Sequence, residues 1–320
     1  MRSDSDTVAL APMSSALAWN ELVAANAGCF FHTHEWLATM ADVLGMDFHP
    51  NTVLLDGRPV GVAPALVKRI GPFRTVNWLP FPYVGPLVPA ALLPDVLALL
   101  AAWERRSLRS QHVLMSTLPD AFGYQEHRDR TFVVDLAGQT EDSLLRQVEP
   151  KRRAKIRRAA TSGAVVRPAT ADEVRDLLPA WSSATFAAQA LPAPYPTDGY
   201  ATVWSRFGDS PDARFSTAVV DGEPVCVQAS FAGAPRAVAW MMAGAGTRAS
   251  SLALPLLYWD TIIWALGRGC AEFDLVGAPT DGVARYKRDW GAREEHYSVL
   301  RRQAVAHKAA LRLRHALTST

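Results

Sequence analysis

One stretch of this chain occurs twice. Leu55-Asp56-Gly57-Arg58-Pro59-Val60-Gly61-Val62 has a counterpart in Val220-Asp221-Gly222-Glu223-Pro224-Val225-Cys226-Val227. Both read as strand, Asp-Gly turn, strand, because Asp-Gly supplies the positive φ angles that a two-residue hairpin needs. The elements that follow also correspond in order. After the first hairpin come a strand near 75–78, a Pro/Gly stretch, an apolar helix over 92–108 and a strand over 112–117. After the second come a strand over 237–242, a Gly/Ser stretch, a helix over 252–266 and a strand over 272–276. Four elements in one order predict two copies of a single α/β unit. Each copy has hairpins first and a helical crossover last, so each sheet should be mixed.

The bulk of the chain allows this. At 320 residues it can hold two medium domains with substantial cores. It is 49% hydrophobic and 20% charged, which is ordinary globular material. A net charge of +2 gives no protein-wide field for nucleic acid, although a local patch is open. Cys29, Cys226 and Cys270 suggest no disulfide framework and point to a reducing compartment. Residues 1–12 lack the apolar core of a signal peptide, and no apolar run reads as a membrane span. A cytoplasmic protein is expected.

Between the copies, six of the eight residues from Lys151 to Arg158 are basic. On a helix Lys151, Lys155 and Arg158 share a face, while Arg153 and Arg157 point away from it. So many like charges repel one another unless an anion lies nearby; the alternative is a plain solvated helix. A second anion-binding candidate is the glycine-rich run 243–251, which carries Arg248 and opens a helix. Arg58-Pro59-Val60-Gly61-Val62-Ala63 matches a generic pyrophosphate pattern but sits in a hairpin strand, so it reads as a false match. Near the end, 281–292 reads as a cationic loop that places Tyr286 beside Lys287 and closes on Trp290-Gly291. Tyr195 and Tyr200 lie in a proline-rich segment able to wall a pocket. The cluster Cys29, His32, His34 has no second ligand group, so no metal is expected. The tail 308–315 reads as a basic amphipathic helix.

Four places together resemble the Fem-type (FemAB-like or BioF2-like) aminoacyltransferases of the Gcn5-related acetyltransferase fold. They are the Phe30–Trp36 start, the basic helix with its 162–165 turn, the helix-Gly-strand over 269–277, and the Tyr286-Lys287…Trp290-Gly291 signature. The resemblance implies an α/β (α+β) chain of two tandem acetyltransferase-like lobes with mixed sheets. The expected divisions are 1–145, then 146–294 carrying the catalytic loop, then 295–320 as a strand and basic helix packed on the first lobe.

The resemblance also implies an acyltransferase that forms an amide bond. The donor would be aminoacyl-tRNA and the acceptor an amine on a small or peptidyl molecule, as in peptide natural-product or cell-wall precursor synthesis. An acyl-coenzyme A N-acyltransferase and a non-catalytic binding protein are the alternatives. Lys287 would stabilise the oxyanion with Tyr286 beside it, and Asp274, Asp281 or a substrate carboxylate would take the proton. Trp36, Tyr195, Tyr200 and Asp274 would contact substrate, and Lys151, Arg153, Lys155, Arg157, Arg158 and Arg248 would hold phosphates. A monomer without cofactor is expected. Two departures speak against a nucleotide- or lipid-linked acceptor. Met40 stands where bridge-forming members carry a lysine, and Gly85-Pro86 is followed by apolar Leu87.

Overall fold

A computed structural model describes residues 7–80, 83–118, 120, 122–233 and 235–304. The chain forms two compact units. One holds the residues up to Asp129 together with those from His296 onward, and the other is Arg130–Glu295.

The first unit contains β1 (Val8–Pro12), α1 (Ala16–Ala25), α2 (His34–Leu44), β2 (Asp47–Leu55), β3 (Arg58–Ile70), β4 (Phe73–Val76), α3 (Leu93–Trp103) and β5 (Arg109–Val113). The strands β1 to β4 pair antiparallel in sequence order, and β4 pairs parallel with β5.

The second unit begins with part of β6 (Gln125–Asp135), then α4 (Glu141–Gln147), α5 (Pro150–Thr161) and β7 (Val165–Pro168). A π-turn (Glu173–Leu177) runs into α6 (Leu178–Ala187), followed by α7 (Thr197–Phe207), β8 (Ala213–Val220), β9 (Glu223–Ala232) and β10 (Arg236–Gly244). It continues through α8 (Arg248–Gly267), β11 (Glu272–Gly277) and α9 (Asp281–Arg288). Here β7 to β10 pair antiparallel in order, and β10 pairs parallel with β11. The last strand, β12 (Arg293–Gln303), places Val299–Gln303 antiparallel beside β5, and β6 places Thr131–Asp135 antiparallel beside β11.

The repeat therefore extends beyond the four elements legible in the sequence. The first unit from β1 to β5 and the second from β7 to β11 both run strand, two helices, three strands, helix, strand. The matching turns show why. Asp56 and Gly57 have φ of 49° and 76°, and Asp221 and Gly222 have 52° and 84°. Both hairpins shift register at the same distance before the turn, at Val53/Leu54 and at Ala218/Val219.

Two expectations need correction. Residues 281–288 form a helix, not a loop, because Thr280 caps it by accepting the N–H of Val283. And among the described residues one helix, α8, is long and apolar enough to cross a membrane by length and composition. Its surroundings make it a core helix. Ala253 and Leu257 pack on Ala218 and Cys226, and Asp260 pairs with Arg214 at 2.9 Å. The expected tail helix lies outside the described residues.

Candidate active site

Strands β10 and β11 pair only over Arg236–Val238 and Glu272–Asp274, then part. Beyond the split, β10 bulges between Ala239 and Met241, and Val276 of β11 takes φ of +58°. That angle is rare for a β-branched residue and marks stored strain. Two buried charges hold it. Asp274 accepts the N–H of Val276 at 2.8 Å and the hydroxyl of Thr131 at 2.5 Å, with Arg236 Nη1 at 3.4 Å. Lys287 reaches back from α9 and donates to the carbonyls of Leu275, Val276 (2.9 Å) and Gly277 (2.5 Å).

An ammonium has three protons, and three carbonyls take them. Burial pulls the Lys287 pKa down to about 8, with Asp274 pulling the other way. Lys287 thus clasps the floor of the split and turns no donor toward an oxyanion. Asp274 is fully buried among its partners and closes the same clasp. The sequence spacing placed Lys287 correctly beside Tyr286 but could not show which way its side chain runs.

Between β10, α8 and α9 lies a cavity of about 450 Å³. Met242, Ala243 and Gly244 line it from β10, Leu254 and Tyr258 from α8, Gly282, Val283 and Tyr286 from α9, and Thr185 from α6. The Tyr286 hydroxyl is buried without a hydrogen-bond partner. Burial, then the neighbouring Tyr258, drives its pKa upward, and burial pushes Tyr258 up to about 12. Both phenols stay protonated at neutral pH and are O–H donors. The Tyr286 ring is fixed by Arg152, whose guanidinium lies 4.0 Å from its centroid and pairs with Asp289 at 2.8 Å. Tyr258 stacks on Trp290 at 5.1 Å.

A second cavity, of about 430 Å³, lies at the start of α8. Lys155, Arg158 and Ser162 line it from α5 and its cap, and Arg248, Ala249 and Ser251 from α8. The turn from β10 into α8 is tight. A Cβ on Gly244 would sit 3.1 Å from Cys226 Sγ and 3.1 Å from Ser250 Cβ, and Gly246 has φ of +71°. Thr247 accepts the Ser250 N–H at 3.1 Å. The other N–H groups of that first turn point out of the helix with its positive dipole end, beside three cations. An anion of phosphate size fits this chemistry.

Residues 150–288 match the family model of the acetyltransferase (GNAT) domain, a span that includes every residue lining the two cavities. Solved structures resemble the whole chain. FemX is 12% identical, with 91% of this chain and 96% of that one covered at a TM-score of 0.72. L-PGS from Bacillus licheniformis is 14% identical, with 94% and 96% covered at 0.56. The tandem GNAT protein from the clavulanic acid biosynthesis pathway is 15% identical, with 93% and 98% covered at 0.54.

The fold is the tandem GNAT fold.

No curated protein matches the sequence. The likenesses support an acyltransferase on the GNAT fold.

Within that fold the expected site residues divide. Tyr286, Lys155, Arg158 and Arg248 line the two cavities. Lys151 and Arg157 are exposed and Arg153 is half-buried, all outside those linings. Tyr195 and Tyr200 are buried against Trp240, at 5.2 and 5.4 Å, and Tyr200 pairs with Ser182 at 3.3 Å. They form core, because the proline-rich segment folds back on the sheet. Trp36 is fully buried and stacked on Phe31 at 4.8 Å in the first unit. Asp281 opens α9 and pairs with Arg130 at 3.0 Å.

Sequence reading missed Arg152, counted there as one more cation, and the cavity residues Met242, Leu254, Tyr258 and Val283. Their apolar side chains carry no signal that separates a wall from a core. No group of three or more His, Cys, Asp or Glu able to hold a metal occurs among the described residues.

Proposed function

We propose that the protein is an N-acyltransferase that moves an aminoacyl group from aminoacyl-tRNA to an amine of a small or peptidyl acceptor. One observation carries this reading. A cationic cavity and an aromatic cavity with a donor-only phenol flank the first turns of the same helix, α8. The first suits a phosphate of the donor, and the second suits the carbonyl it carries.

In the reaction the acceptor nitrogen attacks the donor carbonyl carbon. The carbonyl oxygen becomes an oxyanion and accepts from Tyr286 O–H, which burial keeps neutral and which the bound acyl group must uncover by displacing the cavity wall. The carbon–oxygen bond to the ribose then breaks, and the ribose oxygen leaves as a hydroxyl with the proton lost by the nitrogen. Among the described residues no carboxylate lines the aromatic cavity, so the amine enters as the free base or gives its proton to water. The Lys287–Asp274 clasp acts through position, holding the bend at Val276 and tying α9, which carries Tyr286, to the end of β11. Met40 is fully buried, so its position offers no cation to an acceptor phosphate, which favours an acceptor without a nucleotide. This reading places the enzyme in the cytoplasm as a monomer.

The cations of α5 favour tRNA as donor, since Lys151, Arg153 and Arg157 lie beyond what one phosphate cavity uses. The glycine turn at 244–246 and the match to an acetyltransferase domain favour the second reading, an acyl-coenzyme A donor. Purified protein incubated with labelled aminoacyl-tRNA, or with labelled acyl-coenzyme A, and a peptidyl amine separates them. Label should pass to the amine from charged tRNA. Transfer from the thioester alone overturns the donor, and transfer from neither overturns the reading.

A further inference from the structure

We propose that the β3–β4 hairpin tip of the first unit docks on an anionic lipid surface. The tip is Ile70-Gly71-Pro72-Phe73, and Ile70 and Phe73 are register partners across it. Their side chains point to water, 48% and 51% exposed, although both are large and apolar. Trp103, 38% exposed, lies on the opposite face of the hairpin, against Arg74. Arg74 ties the two segments together. Its Nη2 donates to the Trp103 carbonyl at 2.6 Å, its Nε to Ser107 Oγ at 3.2 Å, and its guanidinium lies 4.2 Å from the Trp103 ring centroid. Ile70 and Phe73 share one face of the hairpin, and Arg74 holds the Trp103 ring on the other, so apolar groups flank the tip on both faces.

Cations lie behind the tip. Lys68 and Arg69 are exposed on β3 just behind it, Lys68 also donating to the Leu44 carbonyl at 3.1 Å; Arg105 and Arg106 are exposed beyond Trp103, and Arg74 is half-buried between β4 and Trp103. The nearby carboxylates offset little of this charge. Asp47 meets Arg69 only at 3.9 Å, with both groups open to solvent. Glu104, in the same turn as Arg105, is buried and engaged by Ser110, His112 and Tyr124. An apolar hairpin tip with arginines and a tryptophan on its back face is an arrangement that suits an anionic membrane interface. Pro72 brings no N–H, so the tip buries one donor fewer than another residue would require.

RNA is the weaker occupant. Stacking a base needs a free aromatic face, and Arg74 covers one face of Trp103. Ile70, the other half of the tip, offers no ring at all.

The test is flotation of the full chain with vesicles of phosphatidylcholine alone or mixed equally with phosphatidylglycerol, at low salt. Binding to the anionic vesicles is expected, with little to the neutral ones. Ile70→Ser with Phe73→Ser should weaken it about tenfold, and Arg105→Gln or Arg106→Gln about fivefold each. Phe73→Trp should keep or strengthen it, which guards against a folding defect in the serine variant. The proposal is overturned if wild type fails to float with anionic vesicles, or if the serine variant floats equally well. It is also overturned if the serine variant loses affinity for a single-stranded RNA but not for vesicles. No arm of the test depends on acyl transfer, so the proposed activity stands or falls separately.

Discussion

The two units carry the same strand–helix–strand crossover and use it differently. In the second unit β10 turns into α8 within the residues 245–247, Thr247 caps the helix, and β10 and β11 part after Val238 and Asp274, with the end of β10 lining the aromatic cavity. In the first unit β4 ends at Val76 and α3 begins at Leu93. The intervening chain fills the equivalent split. Val62 and Leu87 exchange hydrogen bonds at 2.9 and 2.8 Å, and the Val113 N–H donates to Val84 at 2.9 Å. Gly85 permits this, since a Cβ there would meet the Val113 carbonyl at 2.9 Å. α3 has no side-chain cap. The duplicated topology thus supplies a wedge in both copies. A short capped turn leaves it as a cavity, and a long connection closes it with backbone.

The comparison is most exposed at Lys287, which does with an ammonium what residues 84–87 do with peptide groups. Lys287→Met leaves three carbonyls and the strained Val276 without a donor. Removing one partner of a buried charge costs about 3–5 kcal/mol, so the urea midpoint of the second unit should collapse together with turnover. Near-normal stability with turnover lost would return the ammonium to an oxyanion role.

At Tyr286 the opposite pattern is expected. Tyr286→Phe removes a hydroxyl that has no partner, so stability should hold or rise slightly. Loss of an oxyanion donor typically costs about 3–4 kcal/mol, roughly a hundred- to thousand-fold in kcat, read by label transfer under saturating donor. An unchanged kcat would leave the open wedge without its chemistry.

These two residues also mark what the sequence could reveal. The duplicated Asp-Gly hairpins were legible because turn chemistry is local, and so was the helix behind the glycine run. The Tyr286-Lys287 pair was found, yet adjacent residues on a helix point about 100° apart, and only the backbone shows which one faces the cavity. Reading 281–292 as a loop hid that point. Tyr195, Tyr200 and Trp36 failed for a related reason. An aromatic that walls a pocket and one that fills a core look alike in sequence, and here all three are buried. Arg152 was invisible because its role comes from the rings of Tyr286 and Trp290, far along the chain.

The units should separate in acid as well. His32, buried in the first unit, has its pKa lowered from 6.5 to about 4 by burial. The folded chain keeps it neutral while the unfolded chain takes up a proton, so stability present above pH 6.5 is lost as pH falls toward 4. A difference of that size is worth roughly 3 kcal/mol. Glu104, also in the first unit, is lowered against its burial by His112 and three hydrogen bonds, and acts in the same direction. Lys287 titrates near 8 and adds no slope in this range. Urea midpoints at pH 7 and pH 4.5 should therefore fall first for the first unit. His32→Asn, which can still accept the Cys29 N–H, should remove much of that fall. An equal fall in the variant would assign the acid sensitivity elsewhere.

The smallest effect is the most discriminating for the open wedge. Lys155 and Arg158 line the phosphate cavity, whereas Arg153 and Arg157 belong to the same helix but not to that lining. A charge-assisted hydrogen bond is worth about 1.5–3 kcal/mol, so Arg158→Gln should raise donor KM roughly ten- to hundred-fold with little change in kcat. This holds for either donor, because both offer a phosphate. Arg153→Gln with Arg157→Gln tests the helix outside the cavity. With aminoacyl-tRNA the pair should weaken donor binding several-fold. It should also flatten the slope of log affinity against log salt by about 0.7 for each phosphate left without a cation. With acyl-coenzyme A, whose phosphates are few and held near the cavity, the same pair should change little. A pair that leaves both affinity and salt slope untouched makes α5 outside the cavity a solvated face, and moves the donor assignment to the thioester.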